Sequence, residues 1–435
     1  MTQNSAAAAS PDTPTAHLDR PGDSLALVQH TFGYMPQDSL VLIGMAGGSS
    51  GGHLRVDLGP SAEDPYAMAR QCAEWLAGPA SEPAPDAAIA LLFTRDAPSP
   101  LHGDLYDPLV HTLAGSLASD YEVELVHIWH AGGGSIRNYS CRDAACCPYP
   151  GHGIAQELEE SLRRLPELHV PDGAQGPGDL LNEFLSPLAS PSDASRRVMR
   201  RLVDDAVVPS AAQELLTLWD SALARTQRSG AQWIHTAESR TAALLKTLRT
   251  KRGRDTLVPL ASAGYLPALA GTVFHDAVLQ DPAVQNLEDE ELLARLAGGL
   301  PKELSPARLD RLLEEYSRCW LGDTGSRPDW PRVEALEALL RELLAYAEAG
   351  ERAAALTLKA WTEWAKGRSS VSSATVERLR EESVAASDCT MADLIDRFSS
   401  AFGVCPWARV KIHSYSWWQT EQAGASPKKP AAFRE

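Results

Sequence analysis

The sequence lacks the features of an exported or membrane-spanning protein. It has no apolar run near the ~18 residues that a membrane helix requires, and its best runs, Leu40–Ala46 and Ala87–Phe93, are strand-sized. The first residues contain neither a basic start nor an apolar stretch, so no export signal is expected. We therefore expect a cytoplasmic protein without a membrane partner.

Positive charge is also scarce. Lys and Arg total 40 against 57 Asp and Glu, which gives a formal net charge of −17 and argues against broad binding to phosphate backbones. The one basic cluster is KTLRTKRGRD, in which Lys246, Arg249 and Arg252 would share a helical face. We interpret that face as solvated, so nucleic acid is not the partner we expect.

Motifs for common catalytic sites are missing as well. The glycine runs AGGSSGG and AGGG have neither the Lys-Ser/Thr ending of a phosphate-binding loop nor the G-x-G-x-x-G spacing. No glycine elbow surrounds Ser39, which argues against a hydrolase nucleophile there. The seven cysteines, without an export signal, favour a reducing compartment over a disulfide framework.

What the sequence does contain is material for folded domains. Its 435 residues and 44% hydrophobic content indicate roughly two or three folded units. The composition and periodicity predict five segments: a disordered arm over 1–22, an α/β domain over 23–152, a helical region over 153–322, a C-terminal helical region over 323–418 and a disordered tail over 419–435.

Alternating strand-like and helix-like segments define the predicted α/β domain. SLVLIGM and DAAIALLFT are continuous apolar runs typical of buried strands, whereas HLRVDL and YEVELVHIWH alternate. Helices are expected at Leu25–Phe32, with Asp23 as its N-cap and Gly33 as its stop, and at Asp64–Ala77 and Asp104–Ser119. Hairpins combined with crossover helices predict a mixed sheet.

Beyond about residue 153, apolar positions recur at helical spacing and strand patterns nearly vanish. The stretch AWTEWAKGRSSVSSATVERLREE has the helix–turn–helix layout of a tetratricopeptide-type unit. The fold class is therefore an α/β mixed-sheet domain followed by an all-α, partly tetratricopeptide-like region.

Three motifs resemble those of an actinobacterial family of uncharacterised proteins, one of the domain-of-unknown-function families. These are the G-F-x-P-x-D-S-L-V pattern, the R-V-D-L strand and the Y-x-C-x4-C-C-P loop, carried here by Gly33, Tyr34, Pro36, Asp38, Ser39, Leu40 and Val41; by Arg55, Val56, Asp57 and Leu58; and by Tyr139, Cys141, Cys146, Cys147 and Pro148. The resemblance would extend from about Asp23 to Trp407, with Ile136, Arg137 and His275 as departures from the family pattern. It implies kinship and no established activity.

The cysteine loop has the most distinctive chemistry. Cys141, Cys146, Cys147 and His152 are donors that suit tetrahedral zinc, with His127 or His130 as substitutes for His152. Adjacent cysteines point apart in extended backbone, however, and the spacing is not C-x2-C. A packed loop is favoured over a metal site, and a redox role is the third alternative.

Polar residues at the predicted strand ends are candidate ligand contacts. Asp38 and Ser39 precede a buried strand, Arg55 and Asp57 share one face of the hairpin strand, and Tyr139 precedes the cysteine loop. Each also has an ordinary structural interpretation: Asp38 holding a turn, and Arg55 pairing with Asp57.

Two functional hypotheses follow, with a third behind them. The first is a cytoplasmic binding or scaffold protein that offers a helical surface to a protein or peptide. The second is an enzyme or small-ligand sensor with a pocket near Asp38, Arg55, Asp57 and Tyr139, in which case the four residues must meet. The third is a nucleic-acid-associated protein.

Overall fold

A computed structural model of the chain describes residues 20–47, 49–59, 63–79, 83–100, 102–168, 176–382, 390–402 and 404–425. The chain divides into two compact units, which we call the first unit (Met1–Gly176) and the second unit (Pro177–Glu435). Most of the predicted disordered arm lies outside the described residues, as does the tail from 426. The predicted boundaries at 152 and 322 stay predictions.

The first unit is built on one six-stranded sheet. Its strands are β1 (Ser39–Ala46), β2 (Ser49–Asp57), β3 (Ala87–Thr94), β4 (Glu124–Gly132), β5 (Ser135–Asn138) and β6 (His152–Gly153). They lie in the order β2-β1-β3-β4-β5-β6, with β3 and β4 parallel and the other neighbours antiparallel. The predicted mixed sheet is confirmed, and the two continuous apolar runs, β1 and β3, are its buried inner strands.

Helices cover both faces of this sheet. They are α1 (Pro21–Phe32), α2 (Pro65–Ala77), α3 (His102–Tyr121) and α4 (Ile154–Arg164). On one face α1 and α4 pack together over alternate strand residues that include Val41, Ile89 and Trp129. On the other face α2 packs with α3, and α3 contacts β4.

The start of α1 differs from the prediction. The helix begins at Pro21, with Arg20 in the N-cap position, so Asp23 is not its N-cap. Asp23 is instead buried inside the helix, where its carboxylate accepts a hydrogen bond from Arg164 of α4. The predicted stop is confirmed, since Gly33 adopts a left-handed conformation with φ of 79°.

The second unit is helical throughout its described residues. Its helices are α5 (Pro177–Phe184), α6 (Asp193–Asp205), α7 (Ala212–Ser229), α8 (Glu238–Leu248), α9 (Lys251–Asp255), α10 (Leu257–Ser262), α11 (Tyr265–Gln280), α12 (Asp289–Leu296), α13 (Pro306–Trp320), α14 (Trp330–Leu343), α15 (Ala349–Ala365), α16 (Ser369–Glu382), α17 (Thr390–Phe402), α18 (Pro406–Arg409) and α19 (Tyr415–Ala425). The predicted disordered tail from 419 is thus wrong for 419–425, which form most of α19. The helical character is confirmed, and the tetratricopeptide-like character of α15 and α16 stays a prediction.

Tryptophans form much of the core of the second unit. Trp330, Trp361 and Trp364 have no exposed surface. The ring of Trp407 meets those of Trp330 and Trp361 edge-on, at centroid distances of 6.3 and 6.1 Å. Such edge-to-face contacts hold α14, α15 and α18 in a defined arrangement.

A network of charged side chains is buried beside this aromatic core. Glu337 of α14 accepts a hydrogen bond from Lys366 Nζ at 2.6 Å and lies 3.5 Å from Lys359 Nζ. Lys359 also pairs with Glu363, one turn along α15. Charged residues so far from solvent were not predicted from the sequence, because helical periodicity places most of them on the exposed face.

Among the described helices, none has both the length and the apolar character needed to cross a membrane.

Candidate functional site

One edge of the sheet collects the ends of several strands. Both β2 and β3 run antiparallel to β1, so they are parallel to each other, and β4 is parallel to β3. The carboxyl ends of β2, β3 and β4 therefore share an edge with the start of β1. In α/β sheets this is the edge where ligands usually bind.

A narrow cleft opens by β3 and β4, on the α3 face of the sheet. It is lined by Pro98, Ser99, His130, Arg137, Tyr139, Arg142 and Tyr149. His130 is 3% exposed and its Nε2 lies 2.8 Å from Thr94 Oγ1. The rings of Tyr106 and Tyr139 meet the imidazole edge-on, each at 6.2 Å. We call this the sheet-edge cleft.

Asp107 on α3 accepts hydrogen bonds from two residues that line the sheet-edge cleft. Asp107 Oδ1 accepts a hydrogen bond from the Tyr139 hydroxyl at 2.7 Å, and both carboxylate oxygens accept from Arg142 Nη2 at 3.0 and 2.9 Å. Burial, followed by the hydrogen bond to Asp107, strongly raises the pKa of Tyr139. Tyr139 is therefore a neutral hydrogen-bond donor at physiological pH.

Asp38 lies at the same edge of the sheet, but it contacts Arg95 and does not line the sheet-edge cleft. Its carboxylate accepts a hydrogen bond from Arg95 Nε at 2.6 Å, and its φ of 43° is in the left-handed region. Its backbone carbonyl accepts from the Leu58 amide, which fastens the end of β2. Neighbouring Ser39 is buried and donates to the Gln37 carbonyl. Both residues thus hold the turn into β1.

Arg55 and Asp57 lie on the opposite face of the sheet from Tyr139. Arg55 is paired with Val41, whose side chain packs in the core under α1, whereas Tyr139 contacts α3. The expected ion pair is present, with Arg55 Nη2 at 2.5 Å from Asp57 Oδ1. The structure therefore does not bring Asp38, Arg55, Asp57 and Tyr139 into one pocket.

The cysteine loop follows β5 directly and is organised by Arg137. This arginine is 4% exposed and donates to three backbone carbonyls, those of Asn138, Cys141 and Cys147, at 2.9, 2.6 and 2.9 Å. Its guanidinium also lies 3.9 Å from the centre of the Tyr149 ring. The side-chain carbonyl of Asn138 accepts from the Ser140 and Cys141 amides.

This backbone brings three thiols together. The Sγ atoms of Cys141, Cys146 and Cys147 all lie within 4.8 Å of one another, and none forms a disulfide. Hydrogen bonding with Cys147 is the main cause of a lowered pKa at Cys141, and the same contact raises the pKa of Cys147 to about 11. Of this pair, Cys141 is therefore the thiol that ionises first.

The histidines predicted as a fourth ligand do not join the thiols. His152 Nδ1 lies 3.9 Å from Glu157, and its side chain is 66% exposed. His127 stacks on Trp129, and His130 bonds to Thr94 in the sheet-edge cleft. The donor set found among the described residues is three sulfurs.

The second unit contains an open groove along α7 and α8, of about 480 Å³. It is lined by Gln213, Glu214, Thr217, Leu218, Ser221 and Arg240, and we call it the α7–α8 groove. Arg240 donates to the Ser221 hydroxyl, but its Nε is buried without an acceptor. Within the described parts of the chain, no carboxylate forms an ion pair with Arg240.

A second arginine lies close to the α7–α8 groove. Arg225 and Arg240 both pack against the Trp233 ring, at 4.7 and 5.5 Å from its centre. Burial, and then the charge of Arg225, lowers the pKa of Arg240. Such an environment favours an incoming anion, because an anion would offset both effects.

The predicted basic helix face does not form. Helix α8 ends at Leu248, and α9 begins at Lys251 with Thr250 as its N-cap. Arg249 pairs with Asp204 and Glu351, and Arg252 pairs with Asp276 at 2.7 Å. These charges are compensated within the unit.

Sequence reasoning missed several residues that shape these sites. No sequence pattern marks Asp107 or Arg142, and Arg240 sits in an ordinary amphipathic helix. The sequence presents His130 as a possible metal ligand and Arg137 as a departure from a family pattern, and neither interpretation predicts the contacts that these two side chains make. A partial signal was present, since His130 and Arg137 are polar residues next to apolar ones in two segments with strand patterns.

The fold is a mixed-sheet α/β domain followed by a helical unit. The chain belongs to the family described as Domain of unknown function (DUF4192), which matches residues 21–309. That match includes the sheet and ends within α13, so it stops short of the Trp407 limit expected from the motifs. No curated protein and no solved structure matches the chain.

Proposed function

We propose that this chain is a cytoplasmic binding protein whose α7–α8 groove holds an acidic segment of a protein or peptide partner. The observation that carries the proposal is Arg240, a charged side chain in an open groove with a buried Nε that has no acceptor. Arg240 has no ion pair among the described residues, and a partner carboxylate that binds its guanidinium from the groove would add a charged hydrogen bond worth roughly 1.5–3 kcal/mol.

The shape and chemistry of the groove support a peptide over a compact metabolite. Its lining runs along α7 from Gln213 to Ser221, two helical turns, and the groove is open to solvent. The lining combines the Gln213 amide and the Thr217 and Ser221 hydroxyl groups with the apolar Leu218, a mixture that suits an extended chain with one anionic side chain. Glu214 lies towards the end of the groove away from Ser221, and its carboxylate would repel an anion there. The anionic side chain of the peptide is therefore expected near Arg240.

Selection from a displayed library of random peptides tests this proposal. We expect the full chain to enrich peptides that contain Asp or Glu, and Arg240→Gln to weaken them at least about tenfold by loss of a charged hydrogen bond. Arg228→Gln is the matched control, since Arg228 is exposed, lies on the same helix α7 and does not line the groove. Equal binding by both variants, or selection without acidic residues, contradicts the proposal.

The sheet-edge cleft supports a second candidate, a small-ligand sensor or enzyme. His130, Tyr139 and Arg142 converge there, but the site differs from the predicted four-residue pocket. A ligand with a carboxylate or phosphate would compete with Asp107 for Arg142, whose side chain is 56% exposed. Thermal stabilisation by a panel of such metabolites, lost in Arg142→Gln, is the result expected for this candidate.

Nucleic acid is not part of the proposal. Arg249 and Arg252 are paired with acidic side chains, and the net charge of −17 opposes binding to phosphate backbones.

A further inference from the structure

We propose that Cys141, Cys146 and Cys147 form a three-thiolate site for one Zn²⁺ ion, with the fourth coordination position open to solvent. This site lies in the first unit and is independent of the α7–α8 groove, so either proposal can fail without the other.

The spacing of the sulfurs supports the proposal. In a tetrahedral site with Zn–S bonds of about 2.3 Å, neighbouring sulfurs lie about 3.8 Å apart. Cys146 Sγ and Cys147 Sγ are 3.8 Å apart, and all three sulfurs fall within 4.8 Å of one another. Adjacent cysteines normally point apart, so their convergence requires the bent loop seen here.

The loop is held in this shape by its own hydrogen bonds. Arg137 binds the carbonyls of Cys141 and Cys147, Asn138 caps the Cys141 amide, and the Cys147 amide donates to the Asp143 carbonyl at 2.8 Å. A preformed backbone means that an ion need order only the thiol side chains.

Charge also favours an ion at this position. Three thiolates and Zn²⁺ leave a net charge of −1, which the adjacent Arg137 guanidinium balances. Soft sulfur donors select zinc over magnesium or calcium, which prefer oxygen. Cys146 is exposed and the other two cysteines are partly exposed, so the ion can enter from solvent.

The open fourth position follows from the donor count. Within the described residues no histidine or carboxylate joins the three sulfurs, and His152 lies apart beside Glu157. A zinc site with three protein ligands leaves a position for water or for a donor from another molecule.

Cobalt binding to the full chain is the direct test. The reduced protein, stripped with a chelator, is titrated with Co²⁺ and then with Zn²⁺. We expect one equivalent of Co²⁺, a sulfur-to-cobalt charge-transfer band, the intense visible bands of a tetrahedral ion, and displacement by Zn²⁺. Binding of less than one equivalent, or spectra without sulfur charge transfer, overturns the proposal.

Variants identify the ligands. Cys146→Ser is the main variant, because Cys146 is exposed and its replacement leaves packing unchanged; Cys141→Ser tests a second ligand. Each is expected to lower affinity by more than the 10–100-fold typical of residues that only orient a ligand. His152→Ala is the control and should bind as the unmodified chain does. Undiminished binding by Cys146→Ser, or loss of binding in His152→Ala, refutes the three-thiolate site.

Alkylation gives a readout that does not depend on colour. Zn²⁺ should protect Cys141, Cys146 and Cys147 from iodoacetamide, whereas the buried Cys72 should be unreactive with or without zinc. Equal labelling of the three thiols in the presence and absence of Zn²⁺ contradicts the proposal.

Discussion

Gly132, at the end of β4, lets two segments of the first unit approach each other closely. A Cβ atom at this position would lie 2.2 Å from the Asp96 carbonyl oxygen and 2.4 Å from Thr94 Oγ1. Thr94 is also the hydrogen-bond partner of His130. The absence of a side chain at residue 132 therefore sets the geometry of the sheet-edge cleft.

We predict that Gly132→Ala destabilises the first unit by about 1–3 kcal/mol, because the added methyl group must push apart two backbone segments. Urea unfolding measures the change. Gly52→Ala is the control, since a Cβ there meets no atom within 4 Å, and it should stay within about 0.5 kcal/mol of the unmodified chain. Equal stability of the two variants would show that the contact relaxes freely.

Individual site residues were predictable as residue types but not as a constellation. Strand alternation correctly placed Arg55 and Asp57 on one face, and their ion pair is confirmed. Alternation divides the residues of one strand between two faces, but it does not show which residues of a distant strand lie on the same face of the sheet. That depends on pairing, and the pairing placed Tyr139 on the α3 face. Asp107 of α3 and Arg142 of the loop after β5 lie beside Tyr139, and no local sequence pattern indicates that these two segments meet.

At the scale of elements, α14, α15 and the turn before α16 share the buried charges of the second unit. Burial by itself would raise the pKa of Glu337, but Lys359 and Lys366 outweigh burial and lower the pKa to about 2. Lys366 also lies 4.6 Å from the centre of the Tyr415 ring, which links the network to α19. These helices are therefore fastened to one another by charges as well as by tryptophans.

We predict that Glu337→Gln destabilises the second unit by about 3–5 kcal/mol, because it leaves two buried ammonium groups with weaker partners. The control is Glu381→Gln on α16, an exposed carboxylate 3.7 Å from Arg378, which should change stability by less than about 1 kcal/mol. Denaturant unfolding compares the two variants. A loss of similar size in both would mean that the buried network contributes no more than a surface pair.

The same carboxylate predicts an acid dependence. The pKa of Glu337 falls from an ordinary value of 4.5 to about 2 on folding, so its charged form stabilises the fold above pH 4.5. This contribution should disappear progressively as the pH drops from about 4.5 to about 2. The stability difference between the unmodified chain and Glu337→Gln, measured by unfolding at each pH, should shrink over that interval. A constant difference would show that Glu337 is not the titrating group.

Elements were easier to predict than their ends. Strands β1 and β3 follow from their continuous apolar runs, and the helix expected over Asp64–Ala77 is found as α2. The structure adds that Asp64 is its N-cap, since the Asp64 carboxylate accepts from the Ala67 amide. The end of the chain was misjudged because its composition resembles a linker. Residues 419–425 are exposed where their burial is described, but they continue a helix whose first turn is anchored by the buried Tyr415 and Trp418, and Arg327 donates to Glu421 at 2.6 Å.

At the scale of the whole molecule, each unit has its own hydrophobic core. The core under α1 in the first unit draws on residues from Leu25 to Ile136, and that of the second unit on residues from Leu181 to Trp418. Separate cores are the property that allows units of one chain to unfold in separate steps. The buried cysteines provide a probe in each: Cys72 in the first unit, and Cys319 and Cys405 in the second.

We therefore predict that destabilising one unit exposes only the cysteines of that unit. Burial raises the pKa of Cys72 and of Cys405 to about 12, so neither thiol should react until its unit opens. In pulse labelling under mild denaturant, read by mass spectrometry, Gly132→Ala should increase modification of Cys72 alone. Glu337→Gln should increase modification of Cys319 and Cys405 alone, by about tenfold for each 1.4 kcal/mol of lost stability. Parallel increases at all three cysteines in either variant would mean that the two cores unfold as one cooperative structure.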